Sequence, residues 1–191
     1  MIRPAVILVD LLNDFVTGGL GVKRAEKVIV PLQCLVKRAH VEDVPVIFSN
    51  DAHYTHDCEV TQKWGPHAMK GTSGAEVISE LSLDLAKDFV VEKHTYSGFY
   101  ETCLDSLLRN LYRGESVKTL VFGGLYTHLC VRHTVADAFF RGYNIIVASD
   151  GTEAFTAKEQ EQELEDLKNV YGAKILTVKE IIKKLGKDII C

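Results

Sequence analysis

The strongest constraint on the fold is an alternation of short apolar runs with stretches of helical periodicity. The runs are continuous in Val, Ile, Leu and Phe, which is typical of strands buried on both faces. They lie at 5–9, 44–49, 89–91, 119–122, 144–148 and 174–176. Strands that alternate with helices form a parallel sheet covered on both sides. The pattern therefore predicts a three-layer α/β/α fold.

Helices are predicted at 24–40, 101–112 and 128–141. Within the first of these, one stripe at three- and four-residue spacing holds Val28, Leu32, Leu35, Val36 and Ala39. In a capping box, a Ser or Thr and a Glu three residues later each satisfy a free backbone N–H. Such boxes predict further helix starts at Ser73/Glu76, Thr156/Glu159 and Thr177/Glu180. Gly142 is expected just past a helix end, and the charges within 157–170 predict a solvated helix face.

Length and charge narrow the class of protein. A chain of 191 residues is long enough for one domain, expected over 1–191. The net charge of -4 gives no electrostatic basis for nucleic-acid binding. No apolar run approaches the roughly 18–20 residues of a membrane span, and the N-terminus lacks the basic leader of a signal peptide. The five cysteines form no CxxC pair, so we expect a cytoplasmic protein.

Chemically reactive side chains follow the predicted strands. Asp10 ends the first, Asp51 and His53 the second and Lys93 the third, while Cys130 follows the fourth. Ligands of parallel sheets bind beyond the carboxyl ends of the strands. Each residue alone has an ordinary explanation as a turn former, a solvated lysine or a buried thiol. Together they predict one site.

This set suits nucleophilic catalysis by a thiol. A helix N-terminus and a nearby cation lower a thiol pKa, and Cys130 is expected to have both, the cation being Lys93. Asp10 could accept the thiol proton and pass it to a leaving amine. Gly123 and Gly124 allow backbone N–H groups to approach a substrate oxygen and form an oxyanion hole.

Five segments resemble the isochorismatase-like cysteine hydrolases, and within them the nicotinamidases. They are DLLNDF (10–15), NDAH (50–53), WGPHAMKGTSGAE (64–76), EKHTYSGFYET (92–102) and GGLYTHLCVRHTVADAFFRGY (123–143). The resemblance implies a six-stranded parallel sheet and a catalytic triad of Asp10, Lys93 and Cys130. It also implies a cis peptide between Leu125 and Tyr126, with the backbone N–H groups of Tyr126 and Cys130 as oxyanion donors.

A divalent metal site is predicted next to the triad. Asp51 and His53 are two residues apart and point the same way on an extended segment, and His67 could return to them along the long 51–72 loop. One carboxylate and two imidazoles suit Zn, and also Fe or Mn. An Asp-x-His pair also occurs by chance, but WGPH resembles the nicotinamidase WPxH pattern. His56 does not align with that pattern and is left out of the ligand set.

The substrate pocket is predicted from the same resemblance. Phe15 and Trp64 look like the aromatic walls that hold a flat ring in nicotinamidases, although Phe15 would equally suit an ordinary core. His128 stands where nicotinamidases more often have aspartate, and Tyr126 is bulkier than usual. His128 itself is expected to be a surface residue or a support behind the site. The expected activity is hydrolysis of nicotinamide to nicotinate and ammonia through a Cys130 thioester.

Two alternatives remain open from the sequence. One is a metal-free hydrolase of another small substrate, such as isochorismate, a carbamoyl compound or a ureido compound. The other is a non-catalytic binding module on the same fold. Family members often form dimers or tetramers, so the resemblance also implies a homo-oligomer.

Overall fold

A computed structural model describes residues 3–185. Its sheet has six parallel strands in the order β3-β2-β1-β4-β5-β6. They are β1 (Pro4–Val9), β2 (Val46–Asp51), β3 (Phe89–Lys93), β4 (Thr119–Leu125), β5 (Asn144–Glu153) and β6 (Lys174–Leu176). All six predicted strands are confirmed, and β4 and β5 run further than expected. The switch in strand order lies between β1 and β4, which is where such sheets bind ligands.

The helices are α1 (Asn13–Val16), α2 (Ile29–Val41), α3 (Leu104–Asn110), α4 (Arg132–Phe140), α5 (Ala157–Tyr171) and α6 (Val178–Leu185). The predicted 24–40 helix begins as a 3₁₀ segment, Lys23–Val28, and the predicted 128–141 helix begins as a π-helical turn, Thr127–Val131. The capping boxes at Thr156 and Thr177 are confirmed by reciprocal hydrogen bonds. Gly142 has a φ of 78° just past α4, as expected.

The two faces of the sheet carry separate apolar layers. Alternate side chains of β1 point to opposite sides, so Val6 and Leu8 pack with α2 and α6. Ala5 and Ile7 pack with α3, α4 and α5. This is the predicted three-layer arrangement, and it leaves the carboxyl ends of the strands as the place for a site. Among residues 3–185, no helix combines the length and apolarity that a membrane crossing needs.

The helix predicted from Ser73 and Glu76 is wrong. Only a three-residue 3₁₀ turn, Ser73–Ala75, forms there, and Glu76 is extended. The reason is long-range pairing, because the Glu76 carbonyl accepts a hydrogen bond from the N–H of Asn13. A bridge between Leu12 and Val77 continues this pairing. Contacts with the segment after β1 therefore override the local preference of Ser73 and Glu76 to start a helix.

The prediction of a solvated face for 157–170 is also wrong in part. Gln160 and Glu163 are buried against the segment after β4. The carboxylate of Glu163 accepts a hydrogen bond from Arg132 at 2.6 Å. A charged side chain that has such a partner can be buried, and the composition of the helix does not reveal the partner.

Candidate active site

Three strand ends bring the predicted catalytic residues together. Asp10 follows β1, Lys93 ends β3, and Cys130 lies in the turn between β4 and α4. The Cys130 Sγ and one carboxylate oxygen each of Asp10 and Asp51 lie within 4.8 Å of one another. All three side chains are buried. The proximity that the sequence predicted is therefore present.

Lys93 is the electrostatic centre of the site. Its side chain is fully buried, and its Nζ donates to Asp10 Oδ2 at 2.7 Å and to Asp51 Oδ1 at 2.5 Å. The two carboxylates raise the pKa of Lys93 well above its usual value and outweigh the opposing effect of burial. The ammonium group is therefore charged and fixed between both acids.

Asp10 has the environment of a base that can also act as an acid. Burial and the charge of Asp51 raise its pKa to about 6, although Lys93 opposes the shift. Its other oxygen, Oδ1, accepts the backbone N–H of Asp51 at 2.7 Å, which fixes the carboxylate plane. A carboxylate with a pKa nearer to neutral exchanges protons more readily.

The expectation of a lowered thiol pKa is wrong for the structure as it stands. Burial raises the pKa of the Cys130 thiol well above its usual value, and Lys93 offsets this only in part. Beyond burial, the carboxylates of Asp10 and Asp51 also raise the thiol pKa, because they counter the effect of the single Lys93 ammonium. The resting group is a neutral thiol, so it must lose its proton to a base during attack.

Close packing brings the end of β4, which leads to Cys130, against the residue before Asp10. Gly124 has a φ of 117°, and a Cβ there would lie 2.0 Å from the carbonyl oxygen of Val9, the residue before Asp10. Only glycine tolerates both conditions. The expected cis peptide between Leu125 and Tyr126 is present. The oxyanion role of the Tyr126 and Cys130 N–H groups stays a prediction.

A second cluster fits a metal ion. Asp51, His53 and His67 each offer a ligand atom, and Glu59 adds a fourth, all within 4.8 Å of one another and all buried. Asp51 Oδ2, His53 Nε2 and Glu59 Oε1 are buried and have no hydrogen-bond partner among residues 3–185. Buried polar atoms are normally paired, so three unpaired ligand atoms at one point match the needs of a divalent ion. Glu59 was missed because nothing in the sequence separates it from other loop acids.

The acid–base properties of this cluster suit a bound cation. Burial and the charge of Asp51 raise the pKa of Glu59 to about 7. Burial opposes the charged form of His53, but Asp51 and Asp57 outweigh it and raise the pKa of His53. Burial and the neighbouring His53 lower the pKa of His67. A cation would stabilise the carboxylates and replace protons on the imidazoles.

Hydrogen bonds already orient both imidazoles. His53 Nδ1 donates to Asp57 Oδ2 at 3.0 Å, and His67 Nδ1 donates to the carbonyl of Gly65 at 2.7 Å. Because both acceptors lack protons, each imidazole keeps its Nε2 free for a metal. His56 instead stacks on Tyr54 outside this cluster.

The thiol and three of the candidate metal ligands, Asp51, Glu59 and His67, line one cavity. Its walls are aromatic and aliphatic side chains, namely Phe15, Leu20, Trp64, Tyr96, Leu125, Tyr126, Leu129 and Phe155. Phe15 and Trp64 thus lie where the sequence predicted. Tyr96 and Phe155 were missed, because only the fold brings the residues after β3 and β5 to the same cavity.

Internal contacts hold the aromatic walls in place. Trp64 Nε1 donates to the hydroxyl of Tyr96 at 3.1 Å. The hydroxyl of Tyr126 lies 2.8 Å from the carbonyl oxygens of Phe15 and Leu20. His128 packs edge-on against Phe155 with ring centroids 4.6 Å apart, so it supports a wall from behind and does not line the cavity.

Comparisons with known proteins agree with this geometry. Residues 4–180 match the isochorismatase domain. N-carbamoylsarcosine amidase from Thermoplasma acidophilum has a TM-score of 0.84 and 39% identity, over 93% of this chain and 97% of that one. Pyrazinamidase of Pyrococcus horikoshii, solved in complex with zinc, has a TM-score of 0.79 and 28% identity, over 92% and 99%. An Arabidopsis thaliana protein named as a probable inactive nicotinamidase is 30% identical, over 96% of this chain and 97% of its own. The chain therefore belongs to the isochorismatase family of hydrolases.

Proposed function

We propose that this hydrolase is a metal-dependent cysteine amidohydrolase that converts nicotinamide and water to nicotinate and ammonia. The observation that carries the proposal is the shared cavity, in which the Cys130 thiol and three of the four metal-ligand candidates face one aromatic-walled space. A flat ring needs stacking faces and a polar partner for its nitrogen. Trp64 and Phe15 supply the faces.

The first half of the proposed reaction forms a thioester. Asp10 takes the proton of the Cys130 thiol as the sulfur attacks the carboxamide carbon. The developing oxyanion is bound by the backbone N–H groups of Tyr126 and Cys130. Asp10 then gives its proton to the amide nitrogen, the C–N bond breaks, and ammonia leaves. Lys93 holds Asp10 in place and stabilises its charged form.

The second half returns the enzyme to its starting state. Asp10 takes a proton from a water molecule as the water oxygen attacks the thioester carbon. The C–S bond breaks, the sulfur regains its proton from Asp10, and the nicotinic acid that is released loses its carboxyl proton to solvent to become nicotinate. Each residue ends in its initial protonation state, as turnover requires.

Asp51, His53, Glu59 and His67 would hold the metal ion. Zinc suits this donor set best, and Fe or Mn also fits; the zinc-bound relative supports this choice. When bound, the ion supplies a Lewis acid that orients the ring nitrogen or a water molecule. A cytoplasmic location and a homo-oligomer remain predictions from the sequence.

A second candidate is hydrolysis of a carbamoyl compound. It is favoured by one observation, the 39% identity to N-carbamoylsarcosine amidase. Such a substrate also has an amide carbon and an amine leaving group, so the same Asp10 and Cys130 chemistry would serve. It lacks a flat ring, and the aromatic walls would then have no stacking partner.

Ammonia release from a panel of amides distinguishes the two candidates. Zinc-loaded protein is incubated with nicotinamide, pyrazinamide, benzamide and N-carbamoylsarcosine, with the Cys130→Ala variant as the blank. We expect turnover of nicotinamide and pyrazinamide and much slower turnover of benzamide, because a polar group left unpaired costs about 1–3 kcal/mol. Turnover of N-carbamoylsarcosine alone would replace the nicotinamidase proposal, and no turnover of any amide would support a non-catalytic module.

A further inference from the structure

α5 contributes a buried amide to the turn that carries Cys130. Gln160 Oε1 accepts a hydrogen bond from the hydroxyl of Thr127 at 2.6 Å. At its other end, Gln160 Nε2 donates to the carbonyl of Thr152 at 3.0 Å. Thr127 begins the Cys130 turn, and Thr152 lies in the last part of β5, three residues before the cavity wall at Phe155. One side chain thus joins the nucleophile's turn to the strand that supplies a wall.

The backbone of the Cys130 turn is irregular. Leu129 has a φ of -121° and a ψ of -105°, which are not helical values. The N–H groups of Leu129 and Val131 both donate to the carbonyl of Tyr126, at 2.9 and 3.3 Å. Regular helical hydrogen bonding therefore does not define the position of the turn.

A second polar contact lies one turn further along α5. Glu163, three residues after Gln160, accepts from Arg132 at the start of α4. Residues three apart share a helix face, so α5 presents one polar face to the whole segment that follows β4. A buried amide costs stability unless both of its ends are hydrogen-bonded, and both ends of Gln160 are used.

We propose that Gln160 is a positioning residue of the active site. Its amide fixes Thr127 relative to β5, so that the turn presents Cys130 to Asp10 while the Phe155 wall is held by the same contact. The inference rests on the proposed function only in taking Cys130 as the nucleophile.

The test removes the hydrogen bond between Thr127 and Gln160 while keeping side chains of similar size. Thr127→Val deletes the hydroxyl, Thr127→Ser keeps it, and Gln160→Met deletes the amide. Thr119→Val is the matched control, because Thr119 is also buried and its hydroxyl has no hydrogen-bond partner within the described part of the chain. Amide hydrogen exchange is measured for the 126–131 turn and for α2 in substrate-free protein, and kcat and KM are measured with the amide that the panel identifies.

We expect Thr127→Val and Gln160→Met to speed exchange in the 126–131 turn about tenfold without changing α2. We expect kcat to fall about 10- to 100-fold with little change in KM, since small misplacements of a nucleophile have effects of that size. Thr127→Ser and Thr119→Val should both keep the wild-type exchange rate in the turn and the wild-type kcat. Unchanged exchange in the turn, or an equal increase in α2, would overturn the proposal. The exchange measurement needs no substrate, so it decides the question even if nicotinamide is not hydrolysed.

Discussion

Lys93 Nζ lies 2.5 Å from Asp51 Oδ1, so the side chain that holds the candidate general base also contacts a candidate metal ligand. The sequence assigned Lys93 to the triad and Asp51 to the metal as separate sets. Because the carboxylates of Asp10 and Asp51 share one buried ammonium, a change in the charge of either set alters the pKa values of the other. The two sets form one electrostatic unit.

Replacing Lys93 should destabilise the fold as well as stop catalysis. Lys93→Met keeps the length of the side chain but leaves Asp10 and Asp51 buried without their cation. Removing one partner of a buried ion pair costs about 3–5 kcal/mol, and we expect a loss of that size in urea unfolding of metal-free protein. Lys70→Met is the control, because Lys70 pairs with Glu92 at the surface and water screens that pair. Equal stability of the two variants would contradict the buried-pair interpretation.

The reactivity of Cys130 should reflect its raised pKa. At neutral pH, we expect iodoacetamide to label Cys34, Cys58 and Cys103 before Cys130 in substrate-free, metal-free protein. These three thiols are exposed, whereas Cys130 is buried, and alkylation requires a thiolate that the reagent can reach. Peptide mass spectrometry over time measures the order, with Cys130→Ala identifying the Cys130 signal. Preferential labelling of Cys130 would mean that its resting thiol is already ionised.

Asp57 should control metal affinity without being a ligand. Its carboxylate accepts from His53 Nδ1, and loss of such a contact weakens metal binding about 10- to 100-fold. We therefore expect Asp57→Asn to lower zinc affinity, measured by competition with a chromophoric chelator. Asp84→Asn is the control, since Asp84 also accepts a backbone N–H in a loop but lies outside the ligand cluster. An unchanged affinity in Asp57→Asn would contradict the idea that Asp57 controls metal binding through His53.

Trp64 should affect substrate binding more than the chemical step. Trp64→Ala removes a cavity wall and its hydrogen bond to Tyr96, while Cys130 and Asp10 keep their positions. An aromatic contact contributes about 0.5–1.5 kcal/mol beyond its buried area, so KM should rise at least severalfold and kcat should change less. Steady-state kinetics with the identified amide measure both values. The control Phe139→Ala removes a half-exposed ring outside the cavity, and an equal change in KM there would contradict a stacking role.

The features that the sequence predicted correctly depend on local pattern or on strand ends. Continuous apolar runs located the strands, and parallel strands bring residues such as Asp10 and Lys93 to one edge. The failures depend on long-range contacts. Glu76 is extended because it pairs with Asn13, and Glu59 enters the metal cluster because of the path of its loop. Gln160 is buried because the turn after β4 packs against it, which helix composition cannot reveal.

Gly124→Ala should separate β1 from β4 at the site. A Cβ at this position would lie 2.0 Å from Val9 O, and the φ of 117° is unfavourable for alanine. Backbone strain of this kind and overpacking each cost about 1–3 kcal/mol, so we expect a clear fall in the unfolding free energy. Turnover should fall as well, because Val9 precedes Asp10 and the displaced strand ends no longer hold Asp10 beside the turn of Cys130.

Gly19→Ala is the matched control for this substitution. A Cβ at Gly19 would meet no atom of the described residues within 4 Å, and the φ of Gly19 is outside the positive range. Alanine at a compatible glycine position is expected to be neutral or to stabilise by about 0.4–1 kcal/mol through the unfolded state. The unfolding free energy in urea and the rate of ammonia release should therefore both fall in Gly124→Ala and both be kept in Gly19→Ala. If Gly124→Ala is as stable and active as Gly19→Ala, the close approach of β4 to β1 is not what positions Cys130 against Asp10.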